Sequence, residues 1–410
     1  MSPAAPARSS GLLRATLTLL AGGALAQAVP LLLGPWLTRL YTPQEFGLYH
    51  LFAAVAANAA VVACARYEFA LPLEQDEARA SDLRALCRWL LLGTTALAAV
   101  GSVAWAAWTG ALWPLWLPLG VWALGAVSLA TLDATRSQWF ARLSIARVVQ
   151  HAGGALLQVI AGVARLGVHG LIVAPLLAAL ATLTVLKLRW RGGWERSWRQ
   201  LAPLARQHRQ FPLLNTPHAF AGALQDTLAL ALIAAWQGPA AAGFWGLTLR
   251  YLKAPATLVG GAVSQALYPK LAAAGGPTHA ARRATLRVML TLAAVAAPLV
   301  LLVSAFGPTA FEQVFGTAWR EAGELARALA LYVGLHFIAS PLAVVTMAWD
   351  AQAWALKLAL VGQAVFVVAL AAGLHGGGLQ GAGWAVSAAM ALYFGFYFYK
   401  LATWPVKEGR

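Results

Sequence analysis

Long apolar stretches, each close to the length that crosses a lipid bilayer, follow one another along almost the whole chain. A hydrocarbon core about 30 Å thick requires about 20 apolar residues per helix. With 60% hydrophobic and only 11% charged residues, this chain of 410 residues is no ordinary soluble domain, in which about a quarter of the residues are charged. We predict twelve membrane helices, near residues 14–38, 46–66, 88–108, 112–134, 147–163, 167–187, 212–235, 242–266, 287–306, 325–348, 354–373 and 379–401.

The fold class that these stretches predict is an all-α polytopic membrane protein. The stretches are apolar throughout, whereas strands of a membrane barrel alternate apolar and polar residues. Alanine, glycine and leucine dominate them, and small residues allow helices to pack closely in lipid.

Basic residues are sorted between alternate connectors, which predicts the orientation of the chain. If both termini lie in the cytoplasm, most of the 30 Lys and Arg fall on the cytoplasmic side, with Arg39, Arg165, Arg320 and Arg327 as the exceptions near the other side. This is the asymmetry of the positive-inside rule. The net charge of +16 is therefore a topology signal, and we expect no nucleic-acid partner.

Short motifs recur at a nearly constant separation of about 196 to 199 residues. Pro43-Gln-Glu-Phe-Gly47 is matched by Pro239-Ala-Ala-Ala-Gly243, and Arg84-Ala-Leu-Cys-Arg88 by Arg283-Ala-Thr-Leu-Arg287. A parallel repeat of this kind predicts two six-helix lobes related by a pseudo-twofold axis along the membrane normal, as in alternating-access transporters. We expect an N-terminal lobe over residues 1–187, a basic cytoplasmic linker over 188–211 and a C-terminal lobe over 212–410.

Two cations inside the eighth predicted helix require an explanation. Arg250 and Lys253 are three residues apart and so share one helix face. A central Arg or Lys costs about 2.5–3.5 kcal/mol on insertion scales. One interpretation is a cationic surface that binds an anionic substrate; the alternative is a snorkelling or ion-paired structural site.

Four further charged residues are weaker candidates for a functional site. Asp226, in the seventh predicted helix, is either an ion-coupling site or the counter-ion of Arg250, and Asp133 is a second ion-coupling candidate near the cytoplasmic end of the fourth. Arg14 lies at the start of the first predicted helix. It either faces the mouth of a cavity or is an ordinary cytoplasmic charge that sets the orientation of the helix. Arg66 ends the second, where Arg66-Tyr67-Glu68 places opposite charges two residues apart. Such residues do not share a helix face, which indicates a break or a cavity-lining turn.

Catalytic and metal sites are not predicted. Ser, His and acidic residues are too scattered for a catalytic triad, and no phosphate-binding glycine loop with a following lysine occurs. The two cysteines, Cys64 and Cys87, imply no disulfide framework, and the eight histidines show no metal-ligand spacing. We therefore expect no enzymatic activity and no cofactor.

Several segments resemble one family of membrane transporters. Leu37-Thr-Arg-Leu-Tyr-Thr-Pro-Gln-Glu-Phe-Gly-Leu-Tyr49, followed by Arg66-Tyr-Glu-Phe-Ala-Leu-Pro72, is similar to the N-terminal signature of bacterial Wzx-type oligosaccharide flippases of the multidrug/oligosaccharidyl-lipid/polysaccharide superfamily. Gly243-Phe-Trp-Gly-Leu, Gly260-Gly-Ala-Val-Ser-Gln-Ala-Leu-Tyr-Pro269 and Phe315-Gly-Thr-Ala-Trp319 resemble later parts of that family.

The resemblance implies a function and a location. It implies movement of an undecaprenyl-pyrophosphate-linked oligosaccharide, such as an O-antigen or exopolysaccharide repeat unit, across the bacterial inner membrane. It also implies a cationic cavity onto which Arg250 and Lys253 map, with Arg66 and Arg14 as weaker contacts. Expected partners are this substrate, membrane lipids, a polysaccharide polymerase and a chain-length regulator. The alternatives are a drug/cation antiporter of the same superfamily, or an O-antigen polymerase or ligase.

Overall fold

The computed structural model describes residues 9–187, 196 and 198–406, and within its helices the side chains of residues 9–21, 198 and 218 lie outside the description. Every regular element in these ranges is a helix. The all-α fold class is therefore confirmed.

The described residues of the first half of the chain form eight α-helices. A 3₁₀ helix over Tyr67–Leu73 follows α2, a second over Trp113–Trp116 leads into α4, and a π-helical turn over Val149–Gly153 joins α5 to α6. The α-helices are α1 (Ser9–Leu40), α2 (Pro43–Val62), α3 (Glu77–Thr109), α4 (Leu117–Arg136), α5 (Phe140–Val148), α6 (Gly154–Val163), α7 (Gly167–Val185) and α8 (Trp198–Gln207).

The second half forms six more α-helices. A π-helical turn over Phe211–Asn215 precedes α9, and a 3₁₀ turn over Thr317–Trp319 joins α12 to α13. Residues Gly377 and Gly378 have non-helical backbone angles, so the last helix consists of two segments. The helices are α9 (Thr216–Gln237), α10 (Pro239–Leu252), α11 (Ala254–Ala273), α12 (His279–Phe315), α13 (Arg320–Ala348) and α14 (Gln352–Ala402).

Nine helical segments in the described ranges are long and apolar enough to cross a membrane. The remaining predicted stretches correspond to α1, to the α10–α11 pair and to the second segment of α14. Each of the twelve predicted stretches thus corresponds to helix in the structure. The predicted extent of two of them has to be corrected. The stretch 46–66 ends its α-helix at Val62, and the stretch 242–266 is two helices.

Helix ends follow local chemistry. Asp76 accepts a hydrogen bond from the backbone N–H of Ala78 and caps the start of α3, and the Thr278 hydroxyl accepts one from Ala281 at the start of α12. Side-chain oxygens at this position satisfy a backbone donor that has no partner inside the helix. Gly110 ends α3 at a φ of 69°, in the left-handed region that glycine adopts without strain.

The chain divides into two compact units. The first unit contains residues 1–41 and 51–227, and the second contains residues 42–50 and 228–410. In the first unit Gln158 is buried and its side-chain amide donates to the backbone oxygen of Leu171 at 2.9 Å, which joins α6 to α7. In the second unit Trp319 is fully buried and meets the rings of Phe46 and Phe244 edge-on. The expected lobe boundaries at 187 and 212 remain predictions.

Candidate functional site

The first turns of α2 and α10 cross in direct backbone contact within the second unit. A Cβ atom on Gly47 would lie 1.7 Å from the Pro239 carbonyl oxygen, and a Cβ on Gly243 would lie 2.0 Å from the Pro43 carbonyl oxygen. No side chain fits at either position. The contact is reciprocal, since each glycine touches the proline that begins the other helix. The two motifs matched in the sequence therefore meet each other in space.

One turn further along, the same crossing places His50 against Gly246. A Cβ on Gly246 would lie 2.4 Å from the imidazole ring, so the ring occupies the space that glycine leaves open. His50 Nε2 is buried and has no hydrogen-bond partner in the part of the chain that the structure describes. The guanidinium of Arg250 is close enough to act on this ring electrostatically. The His50 ring, with its buried Nε2 atom, thus lies near one of the two predicted cations.

The eighth predicted helix breaks beside these cations. The first part, α10, ends at Leu252, Lys253 lies between the helices with φ −82° and ψ −12°, and α11 begins at Ala254. Pro255 lies in the first turn of α11. Since proline has no backbone N–H and its ring crowds the carbonyl four residues earlier, it disfavours an uninterrupted helix here. The interruption itself falls on Lys253, two residues before Pro255.

Arg250 and Lys253 are both partly buried. The Lys253 ammonium lies 5.7 Å from the centre of the Tyr332 ring, within the range of a cation–π interaction. His336, one turn further along α13, also interacts electrostatically with Lys253. The two cations are therefore held at one helix break, each with a histidine near it.

An apolar groove adjoins the break. Its volume is about 190 Å³, and its walls come from the end of α10, the start of α11, α12 and α13. Tyr251, Leu252 and Pro255, which flank the two cations in sequence, line one side, and Val333 and Phe337 line the other. Neither Arg250 nor Lys253 lines this groove, because the helical spacing places them on the face of the segment opposite to Tyr251, Leu252 and Pro255.

Arg66 belongs to the first unit, and its surroundings differ from those of Arg250 and Lys253. It has a left-handed backbone with φ 61°, and its guanidinium lies 4.7 Å from the centre of the Phe69 ring. The break that the sequence indicated at Arg66-Tyr67-Glu68 is confirmed as a turn that leads into a 3₁₀ helix. Burial raises the pKa of the Glu68 carboxyl, while the Arg66 charge and the Ser128 hydroxyl oppose that rise.

The remaining predicted residues lie in other surroundings. Asp133 accepts a hydrogen bond from Arg84 at 2.8 Å, and Arg84 also pairs with Glu77. This is the geometry of a structural ion pair between α3 and α4. Asp226 is exposed on α9. Arg14 lies on α1, and its side chain is outside the described residues.

Sequence reasoning missed His50, His336 and Tyr332. Histidine in an apolar helix carries no motif, and Tyr332 looks like one more aromatic residue in a membrane segment. One signal was available for His50, because its counterpart in the second repeat, 196 residues later, is Gly246. A large residue matched by glycine at a predicted helix crossing indicates that the larger side chain fills the space of the smaller.

Solved structures share this fold. A multidrug resistance MATE family transporter of the MOP superfamily, in an inward-facing conformation, aligns with a TM-score of 0.67 and 14% identity over 93% of this chain and 94% of its own. The lipid II flippase MurJ, in an inward closed conformation, aligns with a TM-score of 0.70 and 10% identity over 95% of this chain and 90% of its own. The class of protein is therefore a polytopic helical protein with the fold of membrane transporters and flippases.

The family follows from the sequence profile. Residues 36–324 match the profile of the polysaccharide biosynthesis protein family, and the chain belongs to that family. No curated protein matches the chain in sequence. The resemblance to polysaccharide-exporting flippases is thus confirmed at the level of family and fold.

Proposed function

We propose that this protein flips an undecaprenyl-pyrophosphate-linked oligosaccharide from the inner to the outer leaflet of the bacterial inner membrane. The observation that carries the proposal is the position of Arg250 and Lys253, which are both partly buried at one interruption of a membrane helix. A pyrophosphate carries negative charge, so two cations held together in an apolar segment match the headgroup of this substrate, while the apolar polyprenyl chain can remain in lipid. Membership of the polysaccharide biosynthesis family supports the glycan.

The proposed role of each charged residue follows from the sign of its charge. Arg250 and Lys253 neutralise the pyrophosphate, because burying an unpaired charge in a medium of low dielectric constant is costly. Arg66 and Arg14 provide weaker anion contacts, and Asp226 and Asp133 are the candidate ion-coupling carboxylates. Alternating access of two lobes moves the headgroup while the polyprenyl tail stays in lipid. A polysaccharide polymerase and a chain-length regulator are the proposed partners, and both termini are proposed to face the cytoplasm.

The fold similarity to a MATE transporter favours one rival, a drug/cation antiporter. A cationic drug requires negative charge in its binding site, whereas the partly buried helix break carries two bases. An O-antigen polymerase or ligase is a weaker rival, since its reaction requires catalytic residues that the sequence does not indicate.

Reconstitution into vesicles separates these functions. Purified protein is placed in vesicles that contain a fluorescent undecaprenyl-pyrophosphate oligosaccharide, and exchange between leaflets is measured by quenching from outside. We expect exchange well above empty vesicles under a suitable proton, sodium or voltage gradient. Vesicles that instead accumulate a cationic drug against a proton or sodium gradient, with no lipid exchange, would replace the proposal with the antiporter.

A further inference from the structure

Three side chains that share no sequence motif converge in the first unit. The sulfur atoms of Cys64 and Cys87 and a carboxylate oxygen of Glu68 all lie within 4.8 Å of one another. All three residues are buried, with exposed fractions of 2%, 0% and 2% respectively. Thiolates and a carboxylate at such separations form a donor set that a single metal ion can bridge.

An unusual turn brings the three together. Cys64 follows the end of α2, and Ala65 and Arg66 then adopt positive φ angles of 47° and 61°. This conformation costs roughly 1–2 kcal/mol for each residue that is not glycine. The turn reverses the chain so that Glu68, on the 3₁₀ helix, returns towards Cys64. Cys87 comes from α3, and its carbonyl oxygen accepts a hydrogen bond from the Cys64 thiol at 3.6 Å.

The Glu68 carboxylate is incompletely satisfied. Its Oε2 atom is buried and finds no hydrogen-bond partner among the residues that the structure describes. A buried acceptor without a partner costs about 1–3 kcal/mol, and more if it is charged. A cation bound between this carboxylate and the two sulfur atoms would satisfy such an oxygen.

The charges around the cluster also balance. Two thiolates, one carboxylate and a divalent cation together carry a charge of −1. The guanidinium of Arg88, which is 4% exposed and interacts electrostatically with Cys87, supplies the compensating positive charge. The Arg88 Nε–H donates to the Arg84 carbonyl oxygen at 3.2 Å, which fixes its position on α3. The Arg66 charge also acts on Glu68, so the negative charge of the cluster is offset and is not an isolated buried ion, which would be costly.

We propose that Cys64, Glu68 and Cys87 bind a thiophilic divalent cation of the zinc class. Sulfur ligands select zinc over magnesium and calcium, which require oxygen ligands. Three protein ligands leave a fourth position for water. The metal ties the turn after α2 to α3, so its binding free energy adds to the stability of the folded protein.

The test uses the intact, reduced protein in detergent or lipid nanodiscs after treatment with a chelator. Titration with Co²⁺ is expected to give thiolate-to-metal charge-transfer bands that saturate at one equivalent, and Zn²⁺ is expected to displace the Co²⁺. In Cys64→Ser and Cys87→Ser we expect a loss of affinity larger than the roughly 10–100-fold that follows removal of an outer-shell partner. Glu68→Gln should weaken binding, whereas the control Glu312→Gln, in the second unit, should bind like the wild type.

A second measurement on the unmodified protein keeps the test decisive if a variant misfolds. Bound Zn²⁺ is expected to slow alkylation of the two cysteines by a maleimide and to raise the unfolding temperature. The proposal is wrong if Zn²⁺ changes neither quantity, or if the double variant Cys64→Ser/Cys87→Ser binds metal as tightly as the wild type. It is also wrong if the two cysteines form a disulfide that cannot be reduced in the folded protein.

Discussion

The two helices that open the internal repeat, α2 and α10, begin alike and then differ. Each begins at a proline and reaches a glycine four residues later, where the two backbones touch. Beyond this crossing α2 continues without interruption to Val62, whereas α10 ends at Leu252. The shared part forms a tight helix crossing, and the divergent part holds the candidate substrate-binding cations.

Residues at matching positions show how the two helices diverged. Arg250 and Lys253 correspond, 196 residues earlier, to Ala54 and Ala57, and Pro255 corresponds to Ala59. The first repeat thus has helix-forming alanine where the second has two cations and a helix breaker. A cation on an unbroken membrane helix faces lipid or a packed neighbour, while one at a break can reach polar surroundings. If the proposed function holds, the residues that neutralise the substrate charge lie mainly in the second repeat.

Adding a matching pair of cations to the first repeat is expected to have the largest effect. The variant Ala54→Arg/Ala57→Lys places two charges on the unbroken α2, at about 2.5–3.5 kcal/mol per residue on insertion scales. We expect a strong loss of membrane-inserted protein, measured as yield in the membrane fraction. The control Ala54→Leu/Ala57→Leu should insert normally. Normal insertion of the charged variant would mean that α2 already faces water at these positions, and the comparison would fail.

Introducing the helix breaker into α2 is expected to have the next largest effect. Ala59→Pro removes a backbone donor from the interior of α2, which costs about 3 kcal/mol or more. Thermal unfolding in detergent should show a clear fall in the midpoint. Ala59→Ser is the control and should unfold near the wild-type temperature. An unchanged midpoint for the proline variant would show that α2 tolerates a break as α10 does.

The crossing itself can be tested at its two glycines. Gly47→Ala and Gly243→Ala each place a methyl group against the backbone of the other helix, and overpacking of this kind costs about 1–3 kcal/mol. Because one shift of the helices relieves both clashes, the double variant should be less destabilised than the sum of the two. Gly101→Ala, where no atom lies within 4 Å of an added Cβ, is the control. Additive effects would argue against a shared crossing.

Removing the break from α10 is expected to change stability least. In Pro255→Ala the new backbone N–H can donate to the Tyr251 carbonyl, which joins α10 to α11. We expect a change in unfolding free energy within about 1 kcal/mol, together with slower lipid exchange in vesicles. Wild-type exchange by this variant would show that the break is not part of the transport cycle.

The sequence predicted the helices well and the local interruptions less well. Length and apolarity place a helix in lipid whatever its neighbours are, so the spans could be recognised one by one. The turn at Ala65 and Arg66 was harder, because positive φ at residues other than glycine depends on the packing around them. Asp133 could be seen as a membrane carboxylate, but its pairing with Arg84, 49 residues away, is a property of the folded structure.

The candidate site, too, could be predicted only in part from the sequence. Arg250 and Lys253 were conspicuous because charge is rare in apolar helices. Their neighbours His50 and His336 were not, since nothing in the local sequence distinguishes a histidine beside a cation from one in a packed core. His50 could be inferred only by setting the two repeats against each other, where Gly246 stands at the matching position.

The most direct test of the account is lipid exchange by the variant Arg250→Ala/Lys253→Ala in reconstituted vesicles. Truncating one partner of a buried charge pair costs about 2–5 kcal/mol, so we expect the rate to fall by at least about 30-fold. The matched control Lys270→Ala/Arg283→Ala removes two exposed positive charges from the same unit and should exchange lipid at the wild-type rate. Undiminished exchange by a folded Arg250→Ala/Lys253→Ala protein would contradict the central claim that these cations bind the substrate.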